Sequence, residues 1–235
     1  MVSRILRVVL VVFCLVITNS SNVFARPVDD MLSNGVGRND MDMVKMAVDN
    51  GANVNYKRDI YVQSPVHVAI DHKNIDMILY LCQKGALIDV GTIGNGFNKK
   101  TELIHAAEVD SLDLVKLFVE VGEKVNAADI NGNTPLMTAL KSYSSRPSIL
   151  EMVNYLISVK ANVNQANNDR YTPLMAVANT YSNNNVEINI EIAKTLLAAG
   201  ADLSKKDISG NTALQYAVNN NNKEMINLLL PISPK

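Results

Sequence analysis

The chain has 235 residues, and its 22 Lys plus Arg are balanced by 23 Asp plus Glu, which leaves a formal net charge of −1 at pH 7. This balance argues against binding to nucleic acid or to an anionic membrane, because both attract a strongly basic surface. With 48% apolar residues, a chain of this length can bury a continuous core.

The first 25 residues have the pattern of a secretory signal peptide. Arg4 and Arg7 precede an apolar run over residues 8–17, and the segment ends on Ala25. The run is too short to cross a bilayer, which leaves a retained anchor as the less favoured alternative. We expect cleavage after Ala25 and a mature protein, without a membrane span, that begins at Arg26. No later Asn lies in an N-x-Ser/Thr acceptor sequence, which favours export to a bacterial periplasm or secretion from a bacterium.

A helix-pair pattern recurs six times along the rest of the chain. Its clearest copy reads TPLMTA from Thr134, followed by apolar positions at helical spacing from Leu150. The Thr or Ser that opens a copy can accept a hydrogen bond from a free helix amide, and Pro has its φ preset for the first helical turn. The pattern therefore predicts helix starts next to Asp30, Ser64, Thr101, Thr134, Thr172 and Thr212.

Each copy also predicts a second helix, with starts at Met41, Ile75, Leu112, Leu150, Ile190 and Lys223. These helices should end where a left-handed residue can cap them, at Gly51, Gly85, Gly122 and Gly200. The connections over residues 129–132 and 207–210 have turn composition and are expected to project as β-hairpin fingers. In the fourth and fifth copies, 16 and 18 residues separate the two helix starts, against 11 elsewhere, which indicates insertions near residues 143–148 and 181–186.

The repeated pattern resembles the ankyrin repeat family over roughly residues 30–230. The resemblance implies an all-α fold, an ankyrin-type solenoid of six helix pairs with projecting β-hairpin fingers. We expect residues 26–235 to form a single ankyrin repeat domain. Stacked repeats present an extended surface that suits a protein partner. The resemblance therefore implies a monomeric, non-catalytic protein–protein interaction module that binds its partner on the concave face.

Other classes of function remain open at this point. The chain could be an immunity-type or inhibitory protein that masks a toxin or an enzyme in a bacterial envelope. It could also be a structural envelope component that self-associates through its ends. An enzyme that uses the repeats only as a scaffold is a further class, but the repeats leave no stretch of chain for a catalytic domain.

Residues with catalytic or metal-binding potential do not form a recognisable constellation. His67 and His105 lie at or beside the histidine of the family's T-P-L-H motif, which implies a structural role. His72 follows His67 by five residues, a spacing that does not place two ligands on one helix face. Cys82 is the single cysteine after residue 25, so no internal disulfide is expected, and its slot predicts a buried thiol. We predict no catalytic residue, metal site or cofactor.

The resemblance also implies where a partner should bind. In the family, the finger tips and the exposed edges of the first helices share the concave face. Tyr61, Phe97 and Tyr171 are the aromatic residues in these slots, and we hypothesise that they anchor the partner rather than pack against neighbouring fingers. The slots in this sequence hold Ile60, Tyr61, Gln63, Asp71, His72, Phe97, Asn98, Lys100, Glu108, Val109, Ile130, Asn131, Asn133, Lys141, Ser142, Asp169, Tyr171 and Asn179.

Overall fold

The computed structural model describes residues 26–56, 64–87, 100–141, 148–180 and 186–230. The predicted signal peptide lies outside these ranges, as does most of each inserted segment. The chain divides into two compact units, Met1–Glu123 and Lys124–Lys235.

The described part of the first unit contains three consecutive helix pairs. Within each pair the two helices pack together, and the first helices of neighbouring pairs contact each other. The helices are α1 (Pro27–Gly37), α2 (Met41–Asp49), α3 (Pro65–Asp71), α4 (Ile75–Gln83), α5 (Glu102–Glu108) and α6 (Leu112–Glu120).

Three further helix pairs make up the described part of the second unit. Here both the first and the second helices contact their counterparts in the neighbouring pair. The helices are α7 (Pro135–Lys141), α8 (Ser148–Ser158), α9 (Pro173–Ala178), α10 (Val186–Ala198), α11 (Ala213–Asn219) and α12 (Lys223–Leu229). The predicted all-α architecture is confirmed.

Apolar helix faces form the core of both units. Leu114, Leu136, Leu156 and Leu174 are each at most 1% exposed, as the repeat register predicts. The Cys82 thiol is buried as well. Burial, together with the nearby charge of Glu102, raises the pKa of this thiol to about 12, so it stays protonated and unreactive at neutral pH.

Side-chain caps begin the first helices of most pairs. The Thr101 hydroxyl accepts the Ile104 amide at 3.2 Å, and the equivalent bond from Met175 to Thr172 measures 3.3 Å. Ser64 differs from the prediction, because its hydroxyl lies 2.8 Å from His67 Nδ1 and caps no helix amide. The turn glycines predicted to follow the second helices have φ between 84° and 95°.

The first helix does not begin where the repeat spacing predicts. We expected a start beside Asp30, whereas α1 begins at Pro27. Pro27 fits the first helical turn, and Asp29 closes that turn by accepting two hydrogen bonds from the Arg26 guanidinium, at 2.8 and 2.9 Å. The Asp29 carboxylate also accepts the Asn53 amide at 2.7 Å, which ties α1 to the turn after α2.

The second helices of the two expanded pairs also begin earlier than predicted. α8 starts at Ser148 instead of Leu150, and α10 starts at Val186 instead of Ile190. The other four second helices begin at the predicted residues. Part of each insertion has therefore lengthened a helix at its N-terminus, while residues 142–147 and 181–185 lie outside the described ranges.

The described connections between pairs are turns, without the predicted two-stranded hairpins. Residues 129–133 are closed by a hydrogen bond from the Asp129 amide to the Asn133 carbonyl, at 2.9 Å. The described ranges contain no β-strand, and β-type pairing within them is confined to an isolated bridge at Lys100. The Asp129 side chain accepts amides within this turn, so those amides are not available for a strand ladder.

None of the described helices has both the length and the apolar content needed to cross a membrane.

Candidate partner-binding surface

Three connections in the second unit share one local geometry. We name them after the helix that follows: the α7 tip (129–133), the α9 tip (167–171) and the α11 tip (207–211). In the α7 tip, Asp129 Oδ1 accepts the amides of Asn131 and Asn133 at 2.9 and 2.7 Å. Asn167 and Asp207 accept the amides two and four residues later in the same way, at 2.8 to 3.0 Å. One polar side chain thus fixes the backbone of each tip.

Hydrogen bonds also join one tip to the next. The Asn168 amide donates to the Asn131 carbonyl at 2.9 Å, and Asn168 Nδ2 donates to the Ile130 carbonyl at 2.9 Å. The Ile208 amide donates to the Asp169 carbonyl at 3.0 Å. The three tips therefore form a row. Hydrogen bonds order the backbone within each tip and also join each tip to the next.

Two tips carry an exposed isoleucine. Ile130 is 47% exposed and Ile208 is 65% exposed, while the exposed Asn168 occupies the same place in the α9 tip and is followed by the exposed Asp169. Ile130 and Asp169 were predicted as contact residues, but Ile208 was not. The repeated sequence, Asp-Ile-x-Gly at 129 and again at 207, carries the signal that points to Ile208.

Asn133 is placed differently from the prediction. It is 8% exposed, because its side chain links several groups at the base of the tips. Its Nδ2 donates to Asp129 Oδ2 at 3.0 Å, and its Oδ1 accepts Lys141 Nζ at 2.6 Å and Asn167 Nδ2 at 3.2 Å. The buried Asn133 side chain thus stabilises the α7 and α9 tips through hydrogen bonds. The same side chain also orients the exposed Lys141.

Tyr171 and Asn179 are half-buried. The Tyr171 hydroxyl donates to the Met175 carbonyl at 3.0 Å, and its ring meets Tyr216 edge-on with centroids 5.3 Å apart. Tyr171 therefore packs against a neighbouring repeat, which was the alternative to an exposed anchor. Asn179 is the C-cap of α9, and its Oδ1 accepts Asn220 Nδ2 at 3.2 Å.

Tyr216 also stabilises the α11 tip. Its hydroxyl donates to Asp207 Oδ2 at 2.5 Å. Burial and this bond raise the pKa of Tyr216 to about 12. For Asp207 burial acts to raise the pKa, but the hydrogen bonds from Tyr216 and the tip amides outweigh it and lower the pKa below its ordinary value. The α11 tip therefore holds an ionised carboxylate at neutral pH.

In the first unit, four predicted contact residues make bonds to other side chains or to the backbone of a neighbouring helix pair. The exposed Asp71 binds the buried His105, with Oδ1 and Nε2 2.6 Å apart. His72 is the C-cap of α3, and its Nε2 lies 3.1 Å from the Gly37 carbonyl oxygen. Lys100 forms an ion pair with Glu108. Tyr61, Gln63, Phe97 and Asn98 lie outside the described residues.

His105 joins two repeats as a neutral imidazole. Burial is the main cause that lowers its pKa, and the charge of Lys100 acts in the same direction, against the carboxylate of Asp71. At neutral pH the ring therefore donates Nε2–H from α5 to the Asp71 carboxylate at the end of α3. In the parts of the chain that the structure describes, no three His, Cys, Asp or Glu side chains are arranged to hold a metal ion.

Family models for ankyrin repeats match most of the chain. A model described as ankyrin repeats in three copies matches residues 88–167 and 143–235, and a model described as ankyrin repeats in many copies matches residues 32–82. The chain belongs to the ankyrin repeat family.

Curated relatives match parts of this ankyrin repeat chain. A putative ankyrin repeat protein of fowlpox virus is 30% identical over 124 residues, which cover 51% of this chain and 18% of the viral protein. Human palmitoyltransferase ZDHHC13 is 30% identical over 196 residues, 81% of this chain and 28% of that protein. A mouse B-cell lymphoma 3 protein homolog is 36% identical over 74 residues, 32% of this chain and 16% of the homolog. The matches span less than a third of each relative.

Two buried acidic residues of the third ankyrin repeat were not predicted from the sequence. Glu102 is fully buried at the start of α5, where α3, α7 and α9 begin with Pro. Glu123 is 6% exposed in the turn after α6. An alignment of the repeats could have identified both residues. Glu102 stands where other repeats have Pro, and Glu123 stands where other repeats have Ala.

Proposed function

We propose that this protein is an exported, non-catalytic module of six ankyrin repeats that binds a protein partner on its concave face. In this proposal residues 26–235 act as one domain and the mature protein is a monomer. Ankyrin repeat proteins are in general protein-interaction modules, and this gives the proposal its class. The proposed binding surface is supported by two exposed isoleucines, Ile130 and Ile208, which lie on tips with a hydrogen-bonded backbone.

Exposed apolar side chains on a fixed backbone are suited to binding. They gain free energy when a partner covers them, and the tips lose little conformational entropy because their backbone is already ordered. Asp169, between these two tips in sequence order, adds an exposed carboxylate that favours a partner with a basic or hydrogen-bond-donating group.

The binding surface can be tested with a double variant. The partner would first be captured by affinity from the native envelope or culture medium and identified by mass spectrometry. Ile130→Ala together with Ile208→Ala should weaken binding to the purified partner at least about tenfold, because apolar anchors at an interface often contribute more than 1 kcal/mol each. The melting temperature should not change, since both side chains are exposed.

Leu203→Ala is the matched control for this experiment. Leu203 is 40% exposed but lies in the turn after α10, outside the three tips. Its truncation should leave the affinity unaltered. Equal affinities for the wild type and the double variant would show that the partner binds elsewhere.

Export is tested separately by N-terminal sequencing of the native protein. Cleavage after Ala25 predicts a mature chain that begins at Arg26. An intact Met1 on membrane-bound protein would support a retained anchor instead.

Two alternative functions give different results in solution. A self-associating envelope component should form larger species as its concentration rises, whereas a monomer should keep one mass in light scattering. An immunity-type or inhibitory protein should bind one toxin or enzyme tightly and abolish its activity. The relative named palmitoyltransferase matches over 28% of its length, and we carry no transferase activity over to this chain.

A further inference from the structure

The third repeat breaks the repeat pattern in two places that meet in its interior. α5 begins with Glu102, whereas α3, α7 and α9 begin with Pro. In the turn after α6, the Glu123 amide donates to the carbonyl of the residue five positions earlier, at 3.0 Å. The residues that make this same bond in the other repeats are Ala52, Ala86, Ala161 and Ala201.

The carboxyl groups of these two glutamates lie close enough for Glu102 to raise the pKa of Glu123. Glu102 is 0% exposed and Glu123 is 6% exposed. An ionised carboxylate can only accept hydrogen bonds, so a bond between two carboxyl groups requires a proton on one of them. Glu123 Oε2 also accepts the Leu103 amide at 3.0 Å, which fixes its carboxyl beside the first turn of α5.

The groups around the two carboxyls hold little positive charge. From α3, His67 Nε2 lies 3.7 Å from Glu102 Oε1, so one imidazolium could neutralise one carboxylate. From α4, the Cys82 thiol stays protonated, and its pKa is raised in part by Glu102. The side chain of Thr101, which caps α5, acts in the opposite direction to Glu102 and lowers the pKa of Glu123. His105, on α5, is neutral and directed to Asp71, with Lys100 and Glu108 paired at the surface beside it.

We propose that Glu102 and Glu123 share one proton at neutral pH and that this pair is a pH-sensitive element, which weakens the third repeat when the proton is lost. Two adjacent carboxylates in a buried site would repel each other and would both be poorly solvated. The protonated pair avoids both costs, because the acid donates to the carboxylate. In mildly acidic surroundings the repeat is therefore held more firmly than in alkaline ones.

The direction of the pH effect follows from linkage. Burial, and then the charge of Glu102, raise the pKa of Glu123 to about 8, whereas an unfolded glutamate has an ordinary value of 4.5. Between these two values the folded chain holds a proton that the unfolded chain has released. Stability contributed by this proton is complete below the unfolded pKa, decreases as the pH rises, and is lost above the folded pKa.

Urea unfolding of the full chain at several pH values tests the proposal, with wild type compared with Glu123→Gln. The amide of Gln can donate to Glu102 but does not titrate, so it imitates the protonated state at every pH. Relative to this variant, the unfolding constant of the wild type should rise by up to about tenfold per pH unit over the window, because one proton is linked to folding. Glu120→Gln, an exposed change on α6, should retain the wild-type profile.

A spectroscopic measurement makes the test independent of the variant's stability. The infrared carbonyl band of a protonated carboxylic acid should be present in the wild type at pH 7 and should disappear as the pH is raised above about 8. The band should persist in Glu120→Gln and be absent from Glu123→Gln. No such band in the wild type, or identical pH profiles for wild type and Glu123→Gln, would overturn the proposal.

Discussion

At the level of single residues, the row of tips depends on a close backbone approach at Gly132. A Cβ atom on this residue would lie 2.8 Å from the Asn168 amide nitrogen and 3.0 Å from the Asn167 Cα. Gly210 has nearly the same φ, 82° against 80°, but a Cβ there would have no atom within 4 Å. The two glycines therefore separate the cost of the backbone conformation from the cost of the contact.

This pair gives the first stability prediction. Gly210→Ala should lower the free energy of unfolding by about 1 kcal/mol, because an L-residue is strained at positive φ. Gly132→Ala should lower it by about 2–4 kcal/mol, since the clash with the next tip adds to the same strain. Urea unfolding at pH 7 measures both. Equal losses would mean that the contact between the α7 and α9 tips contributes nothing to stability.

Arg170 occupies the corresponding position of the α9 tip with a φ of 58°. Arg170→Gly should therefore stabilise the protein by about 0.5–1 kcal/mol, the relief of left-handed strain less the greater backbone entropy of Gly in the unfolded chain. Thermal unfolding is a sufficient measurement. Lys206→Gly is the control, because Lys206 has no positive φ, and this change should instead lower the melting temperature.

At the level of helices, each pair is stabilised mainly by its buried face. Leu114→Ala in α6 and Leu156→Ala in α8 should each cost about 2–5 kcal/mol, as expected for a large side chain removed from a packed core. Leu87→Ala and Leu203→Ala remove the same atoms from side chains that are 69% and 40% exposed, and they should cost far less. Urea unfolding of the four variants compares them, and similar losses at buried and exposed positions would contradict the repeat register.

The helix pairs were predictable because their signals are local. Thr, Pro, apolar spacing and turn glycines lie within a few residues of one another, so four of the six second helices begin where the sequence places them. The starts of α8 and α10 were wrong because spacing shows that residues were inserted, not whether they extend a helix. The start of α1 was wrong because it was placed by the repeat spacing, whereas Pro27 and the bonds between Arg26 and Asp29 begin the helix three residues earlier.

The candidate surface and the turns after the second helices were less predictable, because their bonds connect one repeat to the next. Asn126 is an example: its Nδ2 donates to the Lys160 carbonyl at 3.1 Å, and its Oδ1 accepts the Asn162 amide at 2.7 Å. Asn164 makes the same two bonds to Gly200 and Asp202 in the following repeat. Sequence position alone placed Asn133 on the surface, and only its long-range partners show why it is buried.

At the level of the molecule, the position of a repeat in its unit should determine how readily it opens. In the second unit, α9 and α10 contact both the preceding and the following helix pair, whereas α11 and α12 contact α9 and α10 on one side. Four of the large exposed apolar side chains, Leu203, Ile208, Val218 and Leu230, belong to this last pair and the connection before it. Apolar side chains that remain exposed do not stabilise the folded state. Hydrophobic burial therefore stabilises the last pair less than the pair that precedes it.

We therefore predict that the last helix pair opens before the one that precedes it. In native-state hydrogen exchange, amides of α11 and α12 should show lower protection than those of α9 and α10, because among the described helices local opening of α11 and α12 breaks one interface between pairs instead of two. Leu174→Ala in α9 should reduce protection in both pairs, whereas Val218→Ala, at a half-exposed position of α11, should alter neither. If α11 and α12 were the best protected helices of the second unit, stability would not follow the number of neighbouring pairs.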